Sequence, residues 1–84
     1  MSEDYFKNMS KSLGLRIGLR LFACADIIKA YRYSATVTRQ AILGSHGAIY
    51  GDRMISRALE TLEKAGYIKT ASRGVFTMTI PQPA

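Results

Sequence analysis

The chain has 84 residues, 48% hydrophobic and 21% charged, and its 12 Lys and Arg against 6 Asp and Glu give a formal charge of +6. That length encloses one small core, and the balance is that of a folded domain rather than a disordered one. The single cysteine, Cys24, excludes an internal disulfide scaffold or a zinc finger, while the cationic surplus favours an anionic partner: nucleic acid first, a membrane surface or an acidic protein second.

No secretory signal is visible. The one long apolar stretch, 13–28, carries Arg16, Arg20 and Asp26, charges too costly for a bilayer. A soluble, cytoplasmic protein with no membrane partner is expected. The polar opening has two readings. It is a frayed terminus, or an extra N-terminal helix within residues 1–14, capped by Ser2 with Glu3 and Asp4 at the positive end of its dipole. On such a helix Tyr5, Phe6, Met9 and Leu13 recur at helical spacing and form a candidate dimer surface.

From Leu13 to Leu21 every second residue is apolar, a strand period, and Gly14 and Gly18 disfavour a helix. Against this, Leu13, Ile17, Leu21, Ala25 and Ile28 share one helical face, and 23–30 is rich in alanine. One helix over about 15–32 is expected, with a strand over 13–21 as the alternative. Residues 33–37 favour a short strand. Thr38 is a good N-cap for a helix over 39–43, which Gly44 stops; the glycine-rich stretch 44–51 then reads as a loop. Gly51 or Asp52 caps the strongest helix, 53–65. Its apolar stripe is Ile55, Ala58, Leu59 and Leu62, and Gly66 stands where a helix terminates.

The tail is a hairpin whose register can be derived. Phe76, Met78 and Ile80 alternate with Val75, Thr77 and Thr79, so one face is apolar. A two- or four-residue loop sets Ile68 opposite Thr77, on the wrong face. A three-residue loop, Ser72-Arg73-Gly74, sets Ile68 opposite Met78 and Thr70 opposite Phe76, and puts Gly74 where such loops need a left-handed residue. Pro81 ends the strand.

The order is helix, short strand, short helix, loop, long helix, hairpin: an α+β domain. The run Ile55-Ser56-Arg57-Ala58-Leu59-Glu60-Thr61-Leu62-Glu63-Lys64-Ala65-Gly66-Tyr67-Ile68 resembles the recognition helix and first wing strand of the winged helix-turn-helix family, MarR-type and similar small prokaryotic, plasmid or phage regulators. The resemblance covers about 19–80 and is strongest over 55–80. The turn before the long helix is longer and richer in glycine than the compact family pattern. The resemblance implies a single domain over 1–84, with three helices and a C-terminal two-stranded wing over 67–80. It also implies sequence-specific binding of double-stranded DNA by a transcriptional regulator that occludes a promoter, acting as a homodimer on a two-fold operator.

A helix fits the major groove, and the side chains of its first two turns reach base edges. Here these turns offer Arg53, Ser56 and Arg57, with Asp52 as a cap or an acceptor from cytosine. The same arginines could instead be solvated charges that pair with Glu60. Arg73 at the wing tip, with Lys69 beside it, suits the phosphate backbone or the minor groove, and Arg39 adds a contact from the shorter helix. Tyr50 has two readings, a phosphate contact or a hydrophobic staple on the helix start.

His46 is a lone loop histidine without partners for a metal site, and Cys24 among apolar neighbours reads as a small core residue. The sequence holds no phosphate-binding glycine loop or nucleophile elbow, and the carboxylate pair considered, Glu60 and Glu63, lies on a helix surface. A non-enzyme without a cofactor is expected. The competing function class is a protein-interaction module on the same fold, docking in a replication, partition or phage inhibitor complex. The outer face of the long helix discriminates: basic and polar for DNA, as Arg53, Ser56 and Arg57 make it.

Overall fold

The computed structural model describes residues 3–79. Three α-helices and a three-stranded antiparallel sheet follow in the order α1 (Glu3–Leu13), α2 (Leu19–Tyr31), β1 (Thr36–Thr38), α3 (Arg39–Lys64), β2 (Ile68–Ser72) and β3 (Val75–Met78). The α+β class read from the sequence is therefore the observed one. No helix among the described residues is long and apolar enough to cross a membrane.

The N-terminal segment is a helix. Its expected cap, Ser2, lies outside the described residues. The apolar quartet on α1 is turned at least partly toward its own chain. Met9 is buried, and Tyr5, Phe6 and Leu13 pack against the core of their own chain. Phe6 meets Phe22 of α2 edge to face at 5.2 Å between ring centroids, the arrangement favoured by aromatic quadrupoles.

The alternating stretch 13–21 becomes neither a strand nor the start of a helix reaching back to residue 15. Residues 14–18 are a connection, and α2 begins at Leu19. Among the described residues no strand pairs with the stretch, so its alternation is not converted into a sheet. Leu21, Ala23, Cys24, Ala25, Ile27 and Ile28 are all buried in α2. The helix is contacted by both α1 and α3, and an element covered from two sides shows no single apolar stripe.

Thr38 caps α3 as expected, its Oγ1 accepting from the Ala41 N–H at 3.1 Å. The expected stop at Gly44 and loop over 44–51 are overturned. The helix runs through Gly44 and Gly47 and breaks at Gly51, whose φ of 79° and ψ of 159° divide α3 into a first arm, 39–50, and a second arm, 52–64. Only glycine tolerates that combination at little cost. Each interior glycine costs a helix about 1 kcal/mol relative to alanine, and tertiary anchors offset this. Ile42 is fully buried, and Ser45 Oγ bonds to Tyr31 Oη at 2.7 Å.

The second arm buries Ile55, Ala58, Leu59 and Leu62, the expected stripe. It ends in a Schellman closure at Gly66: the Tyr67 N–H donates to the Leu62 carbonyl at 2.9 Å and the Gly66 N–H to the Glu63 carbonyl at 3.1 Å.

The hairpin pairs Ile68 with Met78 and Thr70 with Phe76, the derived register. Its turn is tighter than the three-residue loop expected. Ser72 pairs with Val75, so the turn is Arg73-Gly74, and the odd residue is absorbed as an irregularity between Thr70 and Ser72. Gly74 has a φ of 72°. The hairpin is also not a free two-stranded wing. Strand β1 joins it in the order β1-β3-β2, with Val37 opposite Phe76. Strand β3 is assigned to Met78; the expected alternation at Ile80 and stop at Pro81 lie outside the described residues.

Candidate nucleic-acid interface

The phase of the second arm determines what it presents. With Ile55, Ala58, Leu59 and Leu62 turned to the core, Arg53 and Arg57 are exposed one turn apart, and Ser56 is half-buried beside them. Asp52 is exposed at the start of the arm, and Glu60 and Lys64 continue the charged side farther along. Thr61 Oγ1 donates back to the Arg57 carbonyl at 2.9 Å.

Two contacts set the hairpin against α3. Glu63 Oε1 accepts from Thr70 Oγ1 at 2.6 Å and from the Thr70 N–H at 3.4 Å. At the other end of the hairpin, the Arg39 N–H donates to the Gly74 carbonyl at 2.9 Å. The second contact brings Arg39 and Arg73, far apart in sequence, to the same cleft, which is lined by Thr38, Arg39, Gln40, Arg73, Gly74 and Val75. This cleft lies at the start of α3, where the helix dipole favours negative charge; the Arg39 and Ala41 N–H groups are already bonded there to Gly74 and Thr38. Lys69 is exposed on β2, opposite Thr77. The geometry therefore groups Arg39 with Arg73, and Arg53 with Ser56 and Arg57.

Tyr50 is placed differently. Its hydroxyl donates to Asp26 Oδ2 on α2, and its ring packs against the core. Burial, the hydrogen bond to Asp26 and the carboxylate charge push its pKa up to about 12. Of its two sequence readings, packing is the one the geometry fits, because the hydroxyl proton is already given to Asp26. Cys24 is a buried free thiol whose Sγ faces the Ala58 carbonyl at 3.6 Å. Burial, opposed by the charge of Arg20, pushes it up to about 12, far from the range of a reactive thiolate.

His46 stands on the first arm of α3 rather than in a loop. Its Nδ1 lies 2.7 Å from Ser45 Oγ, which also bonds Tyr31 Oη at 2.7 Å.

Sequence reasoning missed three positioning groups: Glu63, Asp26 and Ser45. Each acts through a residue at least seven positions away, so no local pattern marks it; Glu63 lay closest to view, one turn before the predicted hairpin. No family model, curated protein or solved structure matches the chain.

Proposed function

We propose that the chain is a winged helix-turn-helix protein that binds double-stranded DNA and acts as a small transcriptional regulator by occluding a promoter. The second arm of α3 enters the major groove with Arg53, Ser56 and Arg57 toward base edges. The hairpin tip follows the backbone, with Arg73 and Arg39 on phosphate and Lys69 alongside. The reading is supported by the element order helix, strand, kinked helix, hairpin and by the strand order β1-β3-β2. The observation that carries it is the shared cleft of Arg39 and Arg73, fastened by the Arg39 N–H to the Gly74 carbonyl. Two arginines lining one cleft at a helix start suit a phosphate. Pairing of two copies on a two-fold operator would raise the affinity of so small a module.

The test is a fluorescence titration of wild type, Arg57→Ala and Arg73→Ala against selected and scrambled duplexes at several salt concentrations. Arg57→Ala is expected to cost roughly 1–3 kcal/mol at the preferred site and to relax base choice there. Arg73→Ala weakens both duplexes equally and reduces the slope of log K against log[salt] by about one. Unchanged affinity of both variants for every duplex rejects the reading.

A further inference from the structure

The corner where α1 meets α2 carries an apolar surface that the DNA reading does not use. Ile17 is 59% exposed and Leu19 64% exposed. Between them Gly18 is fully extended, with φ 179° and ψ −169°, and an extended residue sends its two neighbours to the same side. Beside them Phe6, Lys7, Ile17 and Phe22 line a notch between the two helices. The charge beside the notch is mostly positive. Lys7 lines it, and Arg16 and Arg20 stand next to Ile17 and Leu19 in the chain; the nearby carboxylate of Asp26 is engaged by the Tyr50 hydroxyl.

We infer that this corner docks an acidic amphipathic segment of a partner protein, one that seats an apolar side chain in the Phe6–Phe22 notch and sets carboxylates against Lys7, Arg16 and Arg20. An apolar anchor in a pocket supplies affinity, and opposed charges at the rim set the choice of partner. A second copy of this chain fits poorly, because a two-fold contact brings the same patch, and so the same cations, face to face. A lipid surface fits poorly too. The notch is concave and receives a side chain, whereas membrane binding needs a broad protruding apolar face.

The test uses the full chain and a labelled helical peptide with Leu and Phe on one face and Glu on the other, together with its Glu→Gln version. The acidic peptide should bind and shift the amide signals of Phe6, Lys7, Ile17, Leu19 and Phe22. The Gln version, and the variants Ile17→Ser and Lys7→Glu with the acidic peptide, should each bind at least tenfold more weakly, which is about 1.4 kcal/mol. Ile17→Ser should keep the wild-type melting temperature and DNA affinity, which separates this site from the DNA surface. The inference is overturned if the acidic peptide does not bind, if the Gln version binds equally, or if the shifts fall elsewhere. It is also overturned if Ile17→Ser instead abolishes self-association of the chain or its binding to phosphatidylserine vesicles.

Discussion

The two arms of α3 are continuous in sequence and meet at Gly51, yet they are held by different forces. The second arm sinks four apolar side chains, Ile55, Ala58, Leu59 and Leu62, into the core. The first arm buries only Ile42 completely and leaves Ala41, Gly44, Ser45, Ala48 and Ile49 exposed. Polar anchors hold it: the Thr38 cap at its start, the Tyr31–Ser45 bond in the middle and the Tyr50–Asp26 bond at its end. Apolar burial is repetitive and leaves a period in the sequence. The Thr38 cap is local and legible, but the Tyr31–Ser45 and Tyr50–Asp26 bonds are single events between distant residues and leave no period. The difference also suits the proposed roles. The arm that enters a groove needs a rigid base under Arg53 and Arg57, whereas the other arm has only to hold its start beside the hairpin tip.

The comparison is broken most severely by attacking the packed arm. Leu62 is fully buried, so Leu62→Ala should cost about 2–5 kcal/mol in urea unfolding, the range for an emptied leucine site. Next in size is the hinge. At Gly51 the backbone lies in a region essentially closed to other residues, and Gly51→Ala should cost about 1–3 kcal/mol although its Cβ meets open space. A loss much below 1 kcal/mol would show that the two arms can join in another geometry.

The polar anchor comes third. Tyr50→Phe removes a hydrogen bond to a half-exposed carboxylate and should cost about 1.5 kcal/mol at neutral pH. The unfolded chain releases the Tyr50 proton near its ordinary pKa of 10, whereas the native chain holds it up to about 12. Below pH 10 the contribution is complete; as pH rises from 10 to 12 the unfolded state binds fewer protons and stability falls. Wild type and Tyr50→Phe should therefore converge in urea melts across that window.

The smallest effect has the opposite sign. Gly44 is exposed, helical and has nothing within reach of an added Cβ. Gly44→Ala should raise stability by about 1 kcal/mol if the first arm is helical there, and a thermal melt with no gain, or a loss, would return 44–51 to the loop expected from its glycines.

What the sequence by itself determined is whatever rests on neighbours along the chain. The second arm follows from the spacing of Ile55, Ala58, Leu59 and Leu62, its end from Gly66, and the start of the first arm from Thr38. The hairpin register follows from placing Ile68 on the face of Phe76 and Met78, because a slip of one residue inverts that face. With the helix phase known, the exposure of Arg53 and Arg57 was legible as well. Only the tertiary structure decided the rest. Gly44 and Gly47 signal a loop locally, and the helix survives there because Tyr31 and Asp26 reach in from α2. The alternation over 13–21 signals a strand, and it becomes an exposed corner because no strand among the described residues pairs with it. Arg39 and Arg73 share a cleft only because β1 and β3 pair, bringing together residues more than thirty positions apart through backbone hydrogen bonds that carry no side-chain signature.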